Sequence, residues 1–125
     1  MFVLGFKSLE VWKKSKDFSI FIYELTKDFP KEELYALTSQ IRRAVISIPS
    51  NIAEGSAKKS VKEKLKFVEI ACGSFYELAT QIEIAKDIKY ISDEKYNQYL
   101  EKFEEISKLL FGYRKALNSR SQLPA

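Results

Sequence analysis

The chain has 125 residues, of which 46% are hydrophobic and 30% charged, with 4 Gly and 3 Pro. This length and composition predict one folded domain that spans residues 1–125 and is built from few, long helices. A net charge of +4 permits anionic partners without requiring them. Histidine is absent, which removes the commonest general base and the commonest zinc ligand.

The cellular compartment is indicated by features that the sequence lacks. A single cysteine, Cys72, allows no disulfide within one chain, and no stretch has the length of uncharged apolar residues that a membrane helix needs. The first apolar run is too short for a signal peptide. We therefore expect a cytoplasmic protein without membrane association.

The first predicted helix covers residues 8–28. Two adjacent apolar stripes at helical spacing run along it, one of Val11, Phe18, Ile22 and Leu25, and one of Leu9, Trp12, Ile20 and Tyr23. A helix that is apolar over so much of its circumference has more surface to bury than one neighbouring helix covers.

The second predicted helix covers residues 31–55 and contains a proline. The carboxylates of Glu32 and Glu33 suit the positive end of a helix dipole, and Gly55 suits the left-handed residue that ends a helix. The apolar positions keep steps of 3 and 4 on both sides of Pro49. This pattern predicts a continuous helix kinked at Pro49, with a break at residues 47–49 as the alternative.

The third and fourth predicted helices cover residues 60–89 and 92–118, with Ser60 and Ser92 as their N-caps. Gly73, in the middle of the third helix, predicts a place where another helix packs closely, because glycine costs about 1 kcal/mol relative to alanine in a helix interior. Four amphipathic helices joined by short links predict an all-α fold, an antiparallel up-down-up-down four-helix bundle.

A row of polar residues lies beside the apolar stripe of the second helix. It comprises Gln40, Arg43, Ser47, Asn51 and Glu54 with Arg42 next to it, and a matching row on the third helix comprises Ser74, Glu77 and Gln81. Three interpretations stay open: pairing and capping within a helix, a polar seam between helices or subunits that sets their register, and a ligand or catalytic site. We expect the seam, with Glu77 paired to Arg42 or Arg43 across helices or subunits.

The sequence carries no signature of catalysis or of a cofactor. A di-metal centre in a helical bundle needs Glu-x-x-His on two helices, and the chain has no histidine. Phosphate-binding loops, nucleophile elbows and dinucleotide fingerprints are absent as well. We therefore expect no enzymatic activity, no metal and no cofactor.

A cluster of lysines precedes and opens the third helix. Lysine occupies five of the nine positions from 58 to 66, against one glutamate, as Lys58, Lys59, Lys62, Lys64 and Lys66. The cluster is a candidate nucleic-acid-binding site because lysines neutralise phosphates, and a solvated helix start is the alternative. No aromatic residue interleaves these lysines, so stacking of single-stranded bases has no support.

The sequence resembles a known bacterial family over residues 6–91. The similarity rests on QIRRAVISIPSNIAEG at residues 40–55, on Trp12 in LEVWKK, and on the later segment FVEIACGSFYELATQIEIA. The family consists of four-helix-bundle proteins first noticed as products of intervening sequences in large ribosomal RNA genes. It is related to the accessory variability determinant of diversity-generating retroelements, a basic pentamer that binds nucleic acid and a reverse transcriptase. The resemblance implies an antiparallel four-helix bundle that assembles as a homopentameric ring.

From the residues and the resemblance together, we expect a non-enzymatic homo-oligomer that binds RNA or DNA through the clustered lysines. A pentameric ring would repeat the cluster in every copy. The alternative is a protein-interaction scaffold, in which the ring binds a partner protein such as a polymerase and has no direct nucleic-acid role.

Overall fold

The computed structural model describes residues 5–121 and is all-α over that range. It contains four α-helices, which we label α1, Glu10–Thr26; α2, Leu37–Ser56; α3, Val61–Asp87; and α4, Asp93–Ser121. Short 3-10 helices precede α1 and α2, at Gly5–Ser8 and Lys31–Glu33, and the described residues contain no strand. The predicted all-α fold with four helices is confirmed.

One hydrophobic core lies between the four helices. The main apolar stripe of each helix faces inward, whereas Ile20 and Tyr23 of the second α1 stripe are exposed. The largest fully buried side chains are Ile22 on α1; Ile41, Val45, Ile48 and Ile52 on α2; Phe75, Leu78 and Ile82 on α3; and Tyr99, Ile106, Leu110 and Leu117 on α4. Burial of one large apolar side chain stabilises the fold by about 1.5–3 kcal/mol. The rings of Phe75 and Phe103 stack with centroids 4.1 Å apart, which joins α3 to α4.

Each helix packs against the next one in the chain, α4 packs on α1, and the contact between α2 and α3 is the most extensive. Near the end of α2, Gly55 lies against Phe67, which is close to the start of α3. In the same region the Lys64 ammonium donates a hydrogen bond of 2.8 Å to the carbonyl of Ser56. These contacts place the lysine-rich start of α3 beside the end of α2.

The observed helix bounds differ little from the predicted ones, except at the start of α2. The predicted second helix starts at residue 31, whereas α2 begins at Leu37. The acidic segment after Pro30 forms a 3-10 turn, in which the N–H of Glu33 donates to the Pro30 carbonyl at 2.9 Å. Ala36 then has φ −126° and ψ −107°, outside the helical region, so the turn and α2 are separate elements. The acidic residues belong to this turn and not to the first turn of α2.

Pro49 lies inside α2, which continues through it, so the alternative of a break is wrong. Proline has no N–H, and the carbonyl four residues earlier, that of Val45, therefore loses its helical hydrogen bond. The hydroxyl of Ser19 on α1 donates to this Val45 oxygen at 3.2 Å and also bonds within its own helix. The single hydroxyl hydrogen is shared between the two acceptors, so a side chain of α1 replaces part of the bonding that α2 lacks. A kink at Pro49 and the up-down-up-down order of the helices stay predictions.

The two glycines that the sequence singles out behave differently from their predictions. Gly55 does not have a positive φ, and it is buried inside α2, where an added Cβ would lie 2.8 Å from the Cβ of Phe67. The predicted left-handed helix end at Gly55 is therefore wrong. Gly73 is exposed, and no atom of another helix lies within 4 Å of the position of an added Cβ. Within the described residues, the close approach expected at Gly73 is found at Gly55 instead.

Local hydrogen bonds fix the starts of α3 and α4. The hydroxyl oxygen of Ser60 accepts from the N–H of Glu63 at 3.1 Å, and that of Ser92 accepts from the N–H of Lys95 at 3.2 Å. Both predicted N-caps are confirmed. Each cap satisfies one of the backbone donors that a helix leaves unpaired at its start.

The end of α3 has a left-handed residue that is not glycine. Lys89 has φ 67°, the only positive φ at a non-glycine position among the described residues. The N–H of Tyr90 donates to the carbonyl of Ala85 at 2.9 Å, and that of Lys89 donates to the carbonyl of Lys86 at 3.0 Å. This pair of bonds is the Schellman motif, which usually places glycine where Lys89 lies.

Candidate nucleic-acid interface and polar seam

The middle of the contact between α2 and α3 is polar. The hydroxyl of Ser74 donates to the hydroxyl oxygen of Ser47 across the two helices at 2.7 Å. The side-chain amide of Asn51 donates to the same hydroxyl oxygen at 2.9 Å and to the Ser47 carbonyl at 2.8 Å. Three residues of the two predicted rows therefore meet, and their hydrogen bonds set the register of α3 on α2.

The remaining polar residues of the two rows do not join this hydrogen-bonded group. Gln40, Arg43, Glu54 and Glu77 are exposed. Glu77 accepts a hydrogen bond of 3.2 Å from the side-chain amide of Gln81, its neighbour one turn later on α3. The side-chain oxygen of Gln81 is buried and has no hydrogen-bond partner among the described residues. The polar seam within one chain is thus short, and four of the residues around it face outward.

The two adjacent arginines of α2 have different surroundings, because consecutive helical residues point about 100° apart. Arg42 lies against α1, where its Nε donates to the Thr26 hydroxyl at 3.0 Å and its Nη2 to the Tyr23 carbonyl at 3.3 Å. Its guanidinium also lies 4.6 Å from the centroid of the Tyr23 ring. Pairing of Arg42 with Glu77 inside one chain is therefore wrong. Arg43 makes no hydrogen bond or ion pair with the described residues, and its pairing stays a prediction.

The predicted lysine cluster divides into structural and free members. Lys64 bonds to the end of α2, and Lys58 covers the ring of Phe67 with its ammonium 5.2 Å from the ring centroid. Lys59, Lys62 and Lys66 are exposed. The chain thus presents three of the five lysines to solvent, and the Phe67 ring that Lys58 covers is half-buried.

Helix α4 adds basic residues to the region of the lysine cluster. The sequence pattern did not reveal this proximity, because these residues follow the cluster by about 50 positions along the chain. The Arg114 guanidinium forms an ion pair of 3.3 Å with Glu69 of α3, so the last turns of α4 lie beside the first turns of α3. Lys115 and Arg120 are exposed there. We use the name basic end for the exposed residues Lys59, just before α3, Lys62 and Lys66 of α3, and Lys115 and Arg120 of α4.

The single cysteine and several tyrosines have raised pKa values. Burial raises the pKa of the Cys72 thiol, and a protonated thiol is a poor nucleophile. The hydrogen bond that Tyr96 donates to Glu83 at 2.6 Å raises the pKa of Tyr96 to about 12. Burial raises the pKa of Tyr99 in the core. All three groups are protonated at neutral pH.

Other possible sites are few within residues 5–121. The described residues place no three Cys, Asp or Glu side chains where they could share a metal ion. In the same part of the chain, no helix combines the length and the apolar character that crossing a bilayer requires. An open apolar groove of about 410 Å³ lies between α1 and α2, with Ile20, Tyr23, Ile46 and Pro49 in its lining.

Comparisons with known proteins agree with the fold. A family model described as 23S rRNA-intervening sequence protein matches residues 7–112. The chain is also similar to a crystal structure from Bacteroides thetaiotaomicron, described as a protein of unknown function from the S23 ribosomal protein family. The two chains are 29% identical and superpose with a TM-score of 0.76, over 84% of this chain and 95% of that chain. No curated protein matches the sequence.

Proposed function

The chain belongs to the 23S rRNA-intervening sequence protein family, and we propose that it is a non-enzymatic cytoplasmic homo-oligomer that binds RNA or DNA through its basic end. The observation that supports this function best is the exposure of Lys59, Lys62 and Lys66 next to Lys115 and Arg120. Two helices contribute cations to one surface, whereas a merely solvated helix start would explain only the lysines of α3.

The binding is electrostatic and has little sequence preference. Lysine ammonium groups are point charges that contact phosphates, and phosphate contacts carry no direct information about the bases. The ring of Phe67 is half-buried and covered by Lys58, so it offers no open face on which a base could stack. The expected ligand is therefore any RNA or DNA strand that follows the basic surface.

Self-association strengthens this binding. The ring implied by the family resemblance, with five copies, repeats the basic end in each copy. One nucleic acid that contacts several copies binds more tightly than the affinity of one copy predicts, because each later contact is intramolecular.

A charge-removal variant tests the function. The triple variant Lys59→Gln, Lys62→Gln, Lys66→Gln removes three exposed phosphate contacts, and a matched control replaces Lys27, Lys31 and Lys89 with Gln. Binding of labelled RNA and duplex DNA is measured by fluorescence anisotropy over a salt series. We expect the test variant to lower the magnitude of the salt slope for duplex DNA by about 2–3, and the control to leave it unchanged. Equal effects of the two triple variants would refute a specific basic end.

A second function, docking of a partner protein such as a polymerase, is supported by a different feature. Tyr35 is 93% exposed and Leu34 is 47% exposed in the link before α2. Exposed apolar residues of this size at a loop are typical of protein contacts. In this scaffold function, Leu34→Ser with Tyr35→Ser abolishes binding to a purified reverse transcriptase and leaves nucleic-acid affinity unchanged. Retained binding of the enzyme by this double variant would exclude the link as the contact.

A further inference from the structure

The groove between α1 and α2 opens to the outside of the bundle. We call it the α1–α2 groove; its apolar lining is Ile20 and Tyr23 of α1 with Ile46 and Pro49 of α2, and its volume is about 410 Å³. Ile20 is 57% exposed, and Ile46 is 42% exposed. Isoleucine side chains of two adjacent helices thus leave much of their surface in water at the same place. Such a contiguous apolar surface is typical of a contact with a partner.

A second apolar surface runs along the outer side of α3. It consists of Ile70, Glu77 and Ile84, which we call the α3 ridge. Its members are seven residues apart, nearly two helical turns, so they share one face over about 21 Å. Ile70 is 45% exposed and Ile84 48%. Beside Ile70, the open space at Gly73 leaves room for a helix from another molecule to approach the backbone.

The two surfaces carry opposite charges that are not neutralised within the chain. Glu77, in the middle of the α3 ridge, has only the neutral amide of Gln81 as a hydrogen-bond partner among the described residues. Arg43 lies on α2 one turn before Ile46 of the groove and is exposed, with no hydrogen bond or ion pair to the described residues. Each surface therefore combines exposed isoleucine with unpaired charge, and Lys16 in the groove lining is a further cation on the side of Arg43.

We propose that the α3 ridge of one copy of this chain packs into the α1–α2 groove of a second copy, with Glu77 facing Arg43 across the contact. The inference rests on the self-association in the proposed function and names the two faces that meet. The faces lie on different helices, so the contact is heterologous, and each copy uses its groove and its ridge at the same time. Repetition of such a contact produces a closed ring when the rotation between copies closes.

A second copy fits these surfaces better than a nucleic acid does. The groove is lined mainly by apolar side chains, and the ridge carries a carboxylate that repels phosphates. Neither the ridge nor the groove includes a residue of the basic end, so the contact leaves the basic end free. Self-association and nucleic-acid binding therefore use separate surfaces of the same molecule.

Charge reversal tests the pairing in solution. Arg43→Glu and Glu77→Arg each place like charges opposite each other, whereas the double variant restores opposite charges. Sedimentation velocity over a concentration series gives the dissociation constant for self-association. We expect each single reversal to weaken it by about tenfold or more, and the double variant to return to within about threefold of wild type. Lys108→Glu, a reversal at an exposed site of α4, which contributes to neither face, is the control and leaves the constant unchanged.

Cross-linking gives a second measurement that does not depend on the charges. Copies with Ile46→Cys are mixed with copies with Ile84→Cys and treated with a short bis-maleimide; the native Cys72 is buried and shielded from the reagent. A linked pair that forms more in the mixture than in either variant alone supports the contact.

The possible outcomes are distinguishable. A wild type that is monomeric at every concentration overturns both the contact and the self-association of the proposed function. An oligomeric wild type that neither reversal weakens, and that gives no linked pair in the mixture, overturns the contact alone. Single reversals that weaken assembly without recovery in the double variant overturn the pairing of Glu77 with Arg43.

Discussion

The replacement Gly55→Ala tests the packing of α2 on α3 through a single methyl group. The added Cβ would lie 2.8 Å from the Cβ of Phe67 and 3.3 Å from the carbonyl oxygen of Lys64, both closer than an ordinary contact. Neither neighbour is the flexible end of a side chain, so the backbones must move apart, at a cost of about 1–3 kcal/mol. Alanine regains about 1 kcal/mol of helix propensity relative to glycine. We therefore expect the free energy of unfolding to fall by about 0–2 kcal/mol.

The matched control is Gly112→Ala, in the interior of α4, where no atom of another helix lies within 4 Å of the new Cβ. This replacement gains the helix propensity without the overlap and should stabilise the protein by about 1 kcal/mol. Urea unfolding followed by circular dichroism, at one fixed protein concentration, gives both values. If the two alanines change the free energy of unfolding in opposite directions, or by amounts that differ by about 1–3 kcal/mol, the close approach at Gly55 is supported. Equal stabilisation by the two alanines would refute it.

Three further predictions concern single side chains. Ser19→Ala removes the donor to the Val45 carbonyl that Pro49 leaves unpaired, and we expect it to lower the free energy of unfolding in urea by about 1–3 kcal/mol. In a Pro49→Ala background this loss should be smaller, because the backbone N–H returns. Equal losses in the two backgrounds would contradict the bond from Ser19 to Val45. Lys89→Gly should raise the free energy of unfolding in thermal melts by about 1 kcal/mol, since glycine adopts a positive φ without strain. A similar gain with Lys89→Ala would contradict relief of backbone strain as the cause. The raised pKa of Tyr96, about 12 against 10.0 in a free side chain, means that its contribution to stability is complete below about pH 10 and disappears as the pH rises through 12. Tyr96→Phe should therefore flatten the alkaline loss of stability, and an unchanged pH profile would show that the hydrogen bond to Glu83 does not contribute.

The parts of the fold that depend on neighbours in sequence could be predicted. The N-caps at Ser60 and Ser92 involve groups only three residues apart, so the local sequence determines them. The start of α2 could not be placed, because a proline followed by acidic residues fits a 3-10 turn as well as a helix. The role of Gly55 was also hidden, since the need for glycine comes from Phe67 on another helix.

In the candidate site, too, the features set by local sequence could be predicted and those set by tertiary contacts could not. Sequence spacing predicted the polar seam at Ser47, Asn51 and Ser74, because helical periodicity places Ser47 and Asn51 on one face of α2, beside its apolar stripe. It did not separate Arg42 from Arg43, whose surroundings depend on the position of α1. Nor did it reveal that α4 brings cations beside the start of α3, because that requires the tertiary contact between the two helices.

The salt dependence of nucleic-acid binding by the wild-type chain tests the proposed function most directly. Binding of labelled RNA and duplex DNA is measured by anisotropy between about 50 and 200 mM salt, and the logarithm of the affinity is plotted against the logarithm of the salt concentration. Exposed lysines that neutralise at least three phosphates predict detectable binding at low salt and, for duplex DNA, a slope of about −3 or steeper. An affinity that is undetectable at low salt, or that does not fall as salt is added, would contradict an electrostatic role for the basic end.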